Sequence, residues 1–173
     1  MYTKGRQAFL EGGIAYLSDN IKINLLNGAS YTPNLSTDQY LSIIPGGAIV
    51  ATSANLASKT STGGTANAAN VTITSVSGSQ INYVGMYKDT GTGSTSPLMI
   101  LIDTATNLPL TPNGGDITVQ WDTGSNKIFT LFEGLSEADR LSVWGGLKRL
   151  FGWKGNAELS PGGLWIPTPS LVG

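Results

Sequence analysis

The chain has 173 residues, of which only 12% are charged, a formal net charge of −1, and neither histidine nor cysteine. The missing residue types exclude serine–histidine and cysteine–histidine catalysis, imidazole and thiolate metal sites, and disulfides. A surface with so few charges has little electrostatic repulsion between copies and no dense basic patch. This predicts association with other proteins and argues against nucleic acid as a partner.

The sequence contains no long apolar segment. The N-terminus lacks the apolar core of a signal peptide, and no apolar run approaches the ~20 residues that span a bilayer. We therefore expect a protein that is made and assembled in the cytoplasm without membrane contact.

Residues 1–20 are predicted to form an N-terminal arm with a short helix. Phe9 and Leu10 belong to a roughly helical apolar pattern in this segment. The pair Gly12–Gly13 weakens a helix by ~1 kcal/mol per glycine, so an irregular arm is the alternative. Phe9 and Leu10 are candidates for contact with another protein.

The next segments predict one strand and one short helix. Residues 21–26 alternate apolar and polar side chains, which is typical of a half-buried strand. Ser36 or Thr37 is placed to cap a helix that runs to about Ile44 and stops at Pro45.

The region from residue 48 to residue 133 predicts a series of short strands. They are residues 48–53, 71–76, 80–88, 97–103, 116–122 and 127–133. Residues 57–69, which are mostly small and polar, predict an exposed loop or a weak edge strand. Residues 123–126 predict a hairpin turn between the last two strands. Residues 21–133 are therefore expected to form a mainly β domain, an antiparallel β-sandwich or jelly roll.

Residues 134–173 differ from the rest and predict an amphipathic helix followed by an extended interaction tail. Three of the four tryptophans lie here. Tryptophan is enriched at protein interfaces, so we expect docking on another subunit, with folding back over the chain's own sandwich as the alternative. The candidate contact residues of the tail are Leu141, Trp144, Leu147, Phe151, Trp153, Trp165 and Ile166.

The tail also has the tryptophan, leucine and lysine mixture of an interfacial membrane helix. Residues 133–173 nevertheless carry equal numbers of basic and acidic side chains, which makes attraction to anionic lipid weak. These are Arg140, Lys148, Arg149 and Lys154 against Glu133, Glu137, Asp139 and Glu158. Protein docking is the preferred interpretation.

Enzymatic alternatives rest on carboxylates alone. A pair of them could serve glycoside hydrolysis, but most of the acidic residues lie at strand ends and in turns, where Asp caps the backbone. Asp89, Asp103 and Asp122 could ligate calcium, yet no segment has EF-hand spacing, and turn roles are preferred. The Gly91–Gly93 pair lacks the lysine and the helix of a phosphate loop. We therefore predict no catalysis, no metal and no cofactor.

Aromatic side chains on the predicted strands offer a further alternative. Tyr83, Tyr87 and Trp121 could stack on sugar rings in a carbohydrate-binding sandwich. Packing in the core is the default for aromatics on alternating strands, and it is the preferred interpretation here.

Several stretches between Met1 and about Leu131 resemble a known group of proteins. They are MYTKGRQAFLEG, DNIKINLL, NGASYTPNLSTDQYLSIIP, YKDTGT, PLMILIDTATNLPLTPNGGDITVQWD and NKIFTL. In this order they resemble the small β-rich virion proteins of tailed bacteriophages, of the capsid decoration or cement type. The string IDTATNLPLTPNGGDITV is the most distinctive.

The resemblance implies a structural protein on the capsid surface, assembled in the host cytoplasm. It would bind the major capsid protein or other virion proteins and its own copies, as a dimer or trimer, without catalytic residues. The tail from Glu133 onward departs from the family's pattern, so a different position in the particle or a stronger clamp stays open. The alternative is a tail-fibre, baseplate or head–tail component that binds host glycan through loops such as 57–69 and 89–96.

Overall fold

Residues 1–124 and 127–131 are described by a computed structural model of the chain. These residues form three antiparallel sheets and few helices, so the prediction of a mainly β chain is confirmed. The helix α1 is Thr3–Leu10, and single 3-10 turns lie at Leu41–Ile43, Gly46–Ala48 and Gly93–Thr95. The strands are β1 Ile21–Leu26, β2 Ile49–Thr52, β3 Thr60–Thr62, β4 Thr65–Asn67, β5 Val71–Ile73, β6 Tyr83–Lys88, β7 Leu98–Ile102, β8 Ile117–Val119 and β9 Phe129–Thr130.

The largest sheet has four strands in the order β2-β1-β6-β7. Its centre is the pairing of β1 with β6, in register from Ile21 opposite Lys88 to Leu26 opposite Tyr83. Both strands are almost entirely buried, because each of their faces is covered. The predicted strand at residues 21–26 is confirmed with the same bounds, but it is buried on both faces and not half-buried as predicted. The predicted strands at residues 80–88 and 97–103 are confirmed with narrower bounds.

Two small sheets have the orders β3-β4-β9 and β5-β8. The predicted hairpin between residues 116–122 and 127–133 is wrong, because β8 pairs with β5 and β9 pairs with β4. The β5–β8 pairing places Val71 opposite Val119 and Ile73 opposite Ile117. Cross-strand pairs of β-branched side chains stabilise a sheet. The stabilisation from pairing β8 with β5 outweighs the tendency of residues 123–126 to form a hairpin turn.

The main hydrophobic cluster lies against one face of the large sheet. It also contains side chains from the small sheets, so all three sheets share it. Its members from the large sheet include Ile21, Ile23, Leu25, Val84, Met86 and Ile100, and its members from β4 and β5 are Ala66, Val71 and Ile73. Ile117 and Val119 of β8 and Phe129 of β9 pack against this cluster.

A second cluster covers the opposite face of the large sheet. It combines side chains of three strands with the N-terminus and with the long segment between β1 and β2. Its members are Tyr2, Leu26, Tyr31, Ile44, Ala48, Tyr87 and Leu98. The helix predicted up to Ile44 is reduced to one 3-10 turn, because Tyr40 is held extended by a bridge to Pro97.

The first twenty residues pack on the body of the protein. Tyr2 is 1% exposed in the second cluster, while Ile14 and Tyr16 join the first. The helix α1 lies so close to β7 that a Cβ at Gly5 would be 2.5 Å from the carbonyl oxygen of Leu98. The helix ends at Leu10, and Gly12 follows with a positive φ of 72°.

Candidate interaction surface

A cleft of about 810 Å³ with a mainly apolar lining runs beside β8, and we call it the β8 groove. Its lining comes from segments that are far apart in the sequence: Leu25, Ile81, Val84, Ile102, residues 104–108, Leu110, residues 117–123, Lys127 and Ile128. A second hollow of about 610 Å³, lined by residues 107–113 and 116–118, shares Ile117 and Thr118 with the groove. Open space therefore follows the full length of β8.

The groove has an accessible apolar wall. Ile102, Ile117, Val119 and Ile128 are each half-buried, so part of every side chain remains open to a partner. The ring of Trp121 is 9% exposed, and its Nε1 donates a hydrogen bond to the carbonyl oxygen of Ala69 at 3.0 Å. Trp121 is thus a fixed part of the lining.

One edge of β8 has no strand beside it among the described residues. The strand pairs with β5 on one side, and the sheet ends there. The backbone amides of residues 117–119 donate no hydrogen bond to any described group outside the β5 pairing. An unpaired strand edge is a template for an added strand, and here it lies next to open space.

The groove carries almost no charge. Of its lining residues only Asp122 and Lys127 are ionisable as acid or base. Both are engaged locally, since Asp122 accepts a hydrogen bond from the Gly124 amide at 3.1 Å and Lys127 Nζ donates to the Thr123 carbonyl at 2.8 Å. An uncharged, apolar ligand matches this lining better than a charged one.

The structure places the two N-terminal candidate residues differently. Phe9 is half-buried and packs on Phe129, with ring centroids 5.9 Å apart, and Phe129 in turn meets Tyr16 edge-on. Leu10 is 80% exposed and points away from the core. The remaining candidates lie outside the described residues: Leu141, Trp144, Leu147, Phe151, Trp153, Trp165 and Ile166.

Other exposed apolar side chains were not singled out from the sequence. Leu17 is 57% exposed and Ile43 is 54% exposed, and Leu35 and Tyr40 are also on the surface. Leu17 lies seven residues beyond the end of α1 at Leu10. These side chains add apolar area to the surface of a chain that has few charges.

The three aromatic residues considered for stacking on sugars are not all accessible. Tyr87 and Trp121 are buried, in the second and first clusters respectively, and Tyr83 is half-buried beside the second. The interpretation of these aromatics as core residues is confirmed for Tyr87 and Trp121.

Two of the described acidic residues form ion pairs. Asp89 forms an ion pair with Lys22 at 2.7 Å, and this hydrogen bond lowers the pKa of Asp89. Asp19 pairs with Lys88 at 2.9 Å; burial acts to raise its pKa, but hydrogen bonds from the Ala15 amide and Lys88 outweigh burial and the pKa is lowered. A lowered pKa fixes these carboxylates in the charged form, which suits ion pairing.

A hydrogen-bonded chain holds the segment between β1 and β2. The Tyr31 hydroxyl donates to Asp38 Oδ2 at 2.6 Å and lies 3.2 Å from the Tyr2 hydroxyl, and the Asn34 amide also donates to Asp38. Burial and the bond to Asp38 raise the pKa of Tyr31. Burial also raises the pKa of Tyr16, to about 12. These phenols therefore stay protonated and act as structural donors.

No protein-family model and no curated protein matches the sequence. Over residues 1–124 and 127–131, no three His, Cys, Asp or Glu side chains gather as a metal ion would require. Within the same ranges, no helix combines the length and the apolar character needed to cross a bilayer.

Proposed function

We propose that this chain is a structural protein of a tailed-bacteriophage particle, which decorates or cements the capsid. It acts without catalysis, by burying apolar side chains against the major capsid protein and against its own copies. The motifs between Met1 and Leu131 that resemble such virion proteins support this proposal, and so does a composition with only 12% charged residues.

The observation that carries the proposal is the β8 groove. It combines half-buried apolar side chains, such as Ile117 and Ile128, with an unpaired strand edge and almost no charge. Burial of apolar surface contributes roughly 25 cal/mol per Å², so modest contacts of this kind give useful affinity when a symmetric shell repeats them.

A sandwich architecture is part of the proposal. In it the four-stranded sheet forms one layer, and the β3-β4-β9 and β5-β8 sheets form the other. The first hydrophobic cluster supports this arrangement, since it contains Ile23 and Met86 of the large sheet together with Val71 and Ile73 of the small one. A two-layer sandwich with a shared core is a common scaffold for proteins that act by binding.

The copy number of the chain in purified particles tests the proposal. Quantitative mass spectrometry against the major capsid protein should give a stoichiometry of hundreds of copies per particle. About six or twelve copies would instead support a tail-fibre, baseplate or head–tail role, because those structures have six-fold or twelve-fold symmetry. Absence from the particle would contradict both roles.

A further inference from the structure

The β8 groove and the last residues of the chain have matching chemistry. Residues 161–173, with the sequence PGGLWIPTPSLVG, contain no charged side chain and include Leu164, Trp165 and Ile166. The groove is apolar, and its two ionisable residues are engaged locally. An uncharged apolar segment brings no further charge into such a groove.

Two of the three prolines of this segment, at 167 and 169, stand two residues apart. In an extended strand the amides of residues i and i+2 point to the same edge, so both missing N–H groups fall on one edge. The amides of Ile166, Thr168 and Ser170 then share the other edge and can pair with a neighbouring strand. A proline also holds the residue before it in an extended conformation, which favours this arrangement for Ile166 and Thr168.

We infer that residues 161–173 of one copy add as a strand to the edge of β8 that has no partner among the described residues, in a second copy, with Trp165 filling the β8 groove. This inference rests on the proposed function in one respect, since both require contacts between copies. Exchange of terminal arms would link neighbouring molecules side by side.

The length of chain between body and arm permits the exchange. Thirty-three residues, from Phe132 to Leu164, separate the last described residue from Trp165. Fully extended, such a segment spans up to roughly 110 Å. A domain of ~130 residues is on the order of 40 Å across, so the arm can reach the groove of an adjacent molecule.

Self-association of the full chain, measured by sedimentation equilibrium, tests the contribution of the arm. Trp165→Ala should raise the dissociation constant at least about 30-fold, as for a tryptophan hot spot. Thr168→Pro should raise it about tenfold or more, because it removes an N–H from the pairing edge. Pro167→Ala is the matched control on the other edge and should change it less than about threefold.

Cross-linking tests which groove the arm occupies. The chain has no cysteine, so single introduced cysteines can be joined by a short bismaleimide. One cysteine replaces Thr106 on the exposed rim of the groove (Thr106→Cys), and the other replaces Ser170 on the arm (Ser170→Cys). When the two single variants are mixed, we expect a cross-link between different molecules. Ser36→Cys, exposed in the segment between β1 and β2, is the control for the groove position and should not cross-link to the arm.

Three outcomes would overturn the inference. They are a monomer at all concentrations, a Thr168→Pro variant that associates like the unchanged protein, and a cross-link that forms only within a double-cysteine chain. The last would mean that the arm occupies its own groove. A monomer would also count against the contacts between copies in the proposed function. The copy number in particles tests attachment to the capsid separately, and none of the three outcomes changes it.

Discussion

Asn24 and Gly85 lie opposite each other on β1 and β6, and the amide of Asn24 fills the space where a side chain of residue 85 would be. Asn24 is 1% exposed, and neither its Oδ1 nor its Nδ2 has a hydrogen-bond partner in the part of the chain that the structure describes. A buried amide without partners costs about 1–3 kcal/mol. The centre of the large sheet therefore contains a polar side chain that is sterically accommodated and electrostatically unsatisfied.

This relationship predicts strong coupling between the two positions. A Cβ at residue 85 would overlap Asn24 Oδ1, so Gly85→Ala should lower the free energy of unfolding by about 1–3 kcal/mol. Asn24→Ala removes both the obstruction and the unsatisfied amide. The double variant should therefore recover at least about 1 kcal/mol relative to Gly85→Ala alone.

Urea denaturation of the four proteins measures this coupling. Gly46→Ala is the matched glycine control, because a Cβ there would meet nothing within 4 Å and its φ is not positive. It should change stability by less than about 0.5 kcal/mol. Additive effects of the substitutions at residues 24 and 85 would show that the two side chains do not compete for this space.

The contact of α1 with β7 gives a second stability prediction. A methyl group at Gly5 would be 2.5 Å from the Leu98 carbonyl oxygen and 3.0 Å from that of Met99. Both neighbours are backbone atoms, so Gly5→Ala should lower the free energy of unfolding by about 2 kcal/mol despite the better helix propensity of alanine. Thermal denaturation checks this, with Gly46→Ala again as the control; an unchanged or raised melting temperature would contradict the close packing.

The ion pair of Asp89 with Lys22 predicts a dependence of stability on pH. The pKa of Asp89 is below its ordinary value of 3.8 in the folded chain, mainly because of the hydrogen bond from Lys22. The folded state thus binds fewer protons than the unfolded state around this pKa. The stabilisation is therefore present above pH 3.8 and is lost as the pH falls through the folded pKa.

Asp89→Asn should accordingly lower the free energy of unfolding by up to about 1 kcal/mol at pH 7, as expected for a partly exposed pair. The loss should shrink when denaturation is repeated below pH 3. Asp103→Asn, an exposed carboxylate just after β7, is the control and should change stability by less than about 0.5 kcal/mol. A loss that is equal at both pH values would mean that Asp89 acts through its shape and not through its charge.

A further stability prediction concerns the hydroxyl of Tyr31. It donates to Asp38 at 2.6 Å in a part-buried site, and hydrogen bonds to charged groups contribute about 1.5–3 kcal/mol. Tyr31→Phe should lower the free energy of unfolding by about that amount. Tyr40→Phe, at a 37% exposed tyrosine in the same segment, should be nearly neutral. Equal stability of the two variants would rule out a structural role for the Tyr31–Asp38 bond.

The positions of several strands could be predicted from the sequence, because apolar residues that alternate with polar ones, or that follow one another without a break, mark a strand. The alternating segment at residues 21–26 forms β1, and the nearly continuous apolar segment at 97–103 contains β7, where Leu98 and Met99 are buried. Strand pairing does not follow in the same way. The turn at Thr123–Gly124 pointed to a hairpin, whereas β8 pairs with a strand about 45 residues earlier and β9 with one about 65 residues earlier.

The β8 groove could not be predicted from the sequence for the same reason. Ile102, Val119 and Ile128 stand in three separate segments, and only the sheet topology brings them around one cleft. Each of them looks like an ordinary core residue when its own strand is considered alone. Phe9 is half-buried against Phe129, and its predicted contact with another protein stays a prediction.

Binding of the purified full-length chain to capsids that lack it is the most direct test of the central claim. We predict saturable binding at hundreds of sites per capsid, weakly sensitive to salt because apolar burial drives it, and sharply weakened when residues 134–173 are deleted. A chain that remains a monomer and shows no affinity for capsids or any other particle component would contradict the account.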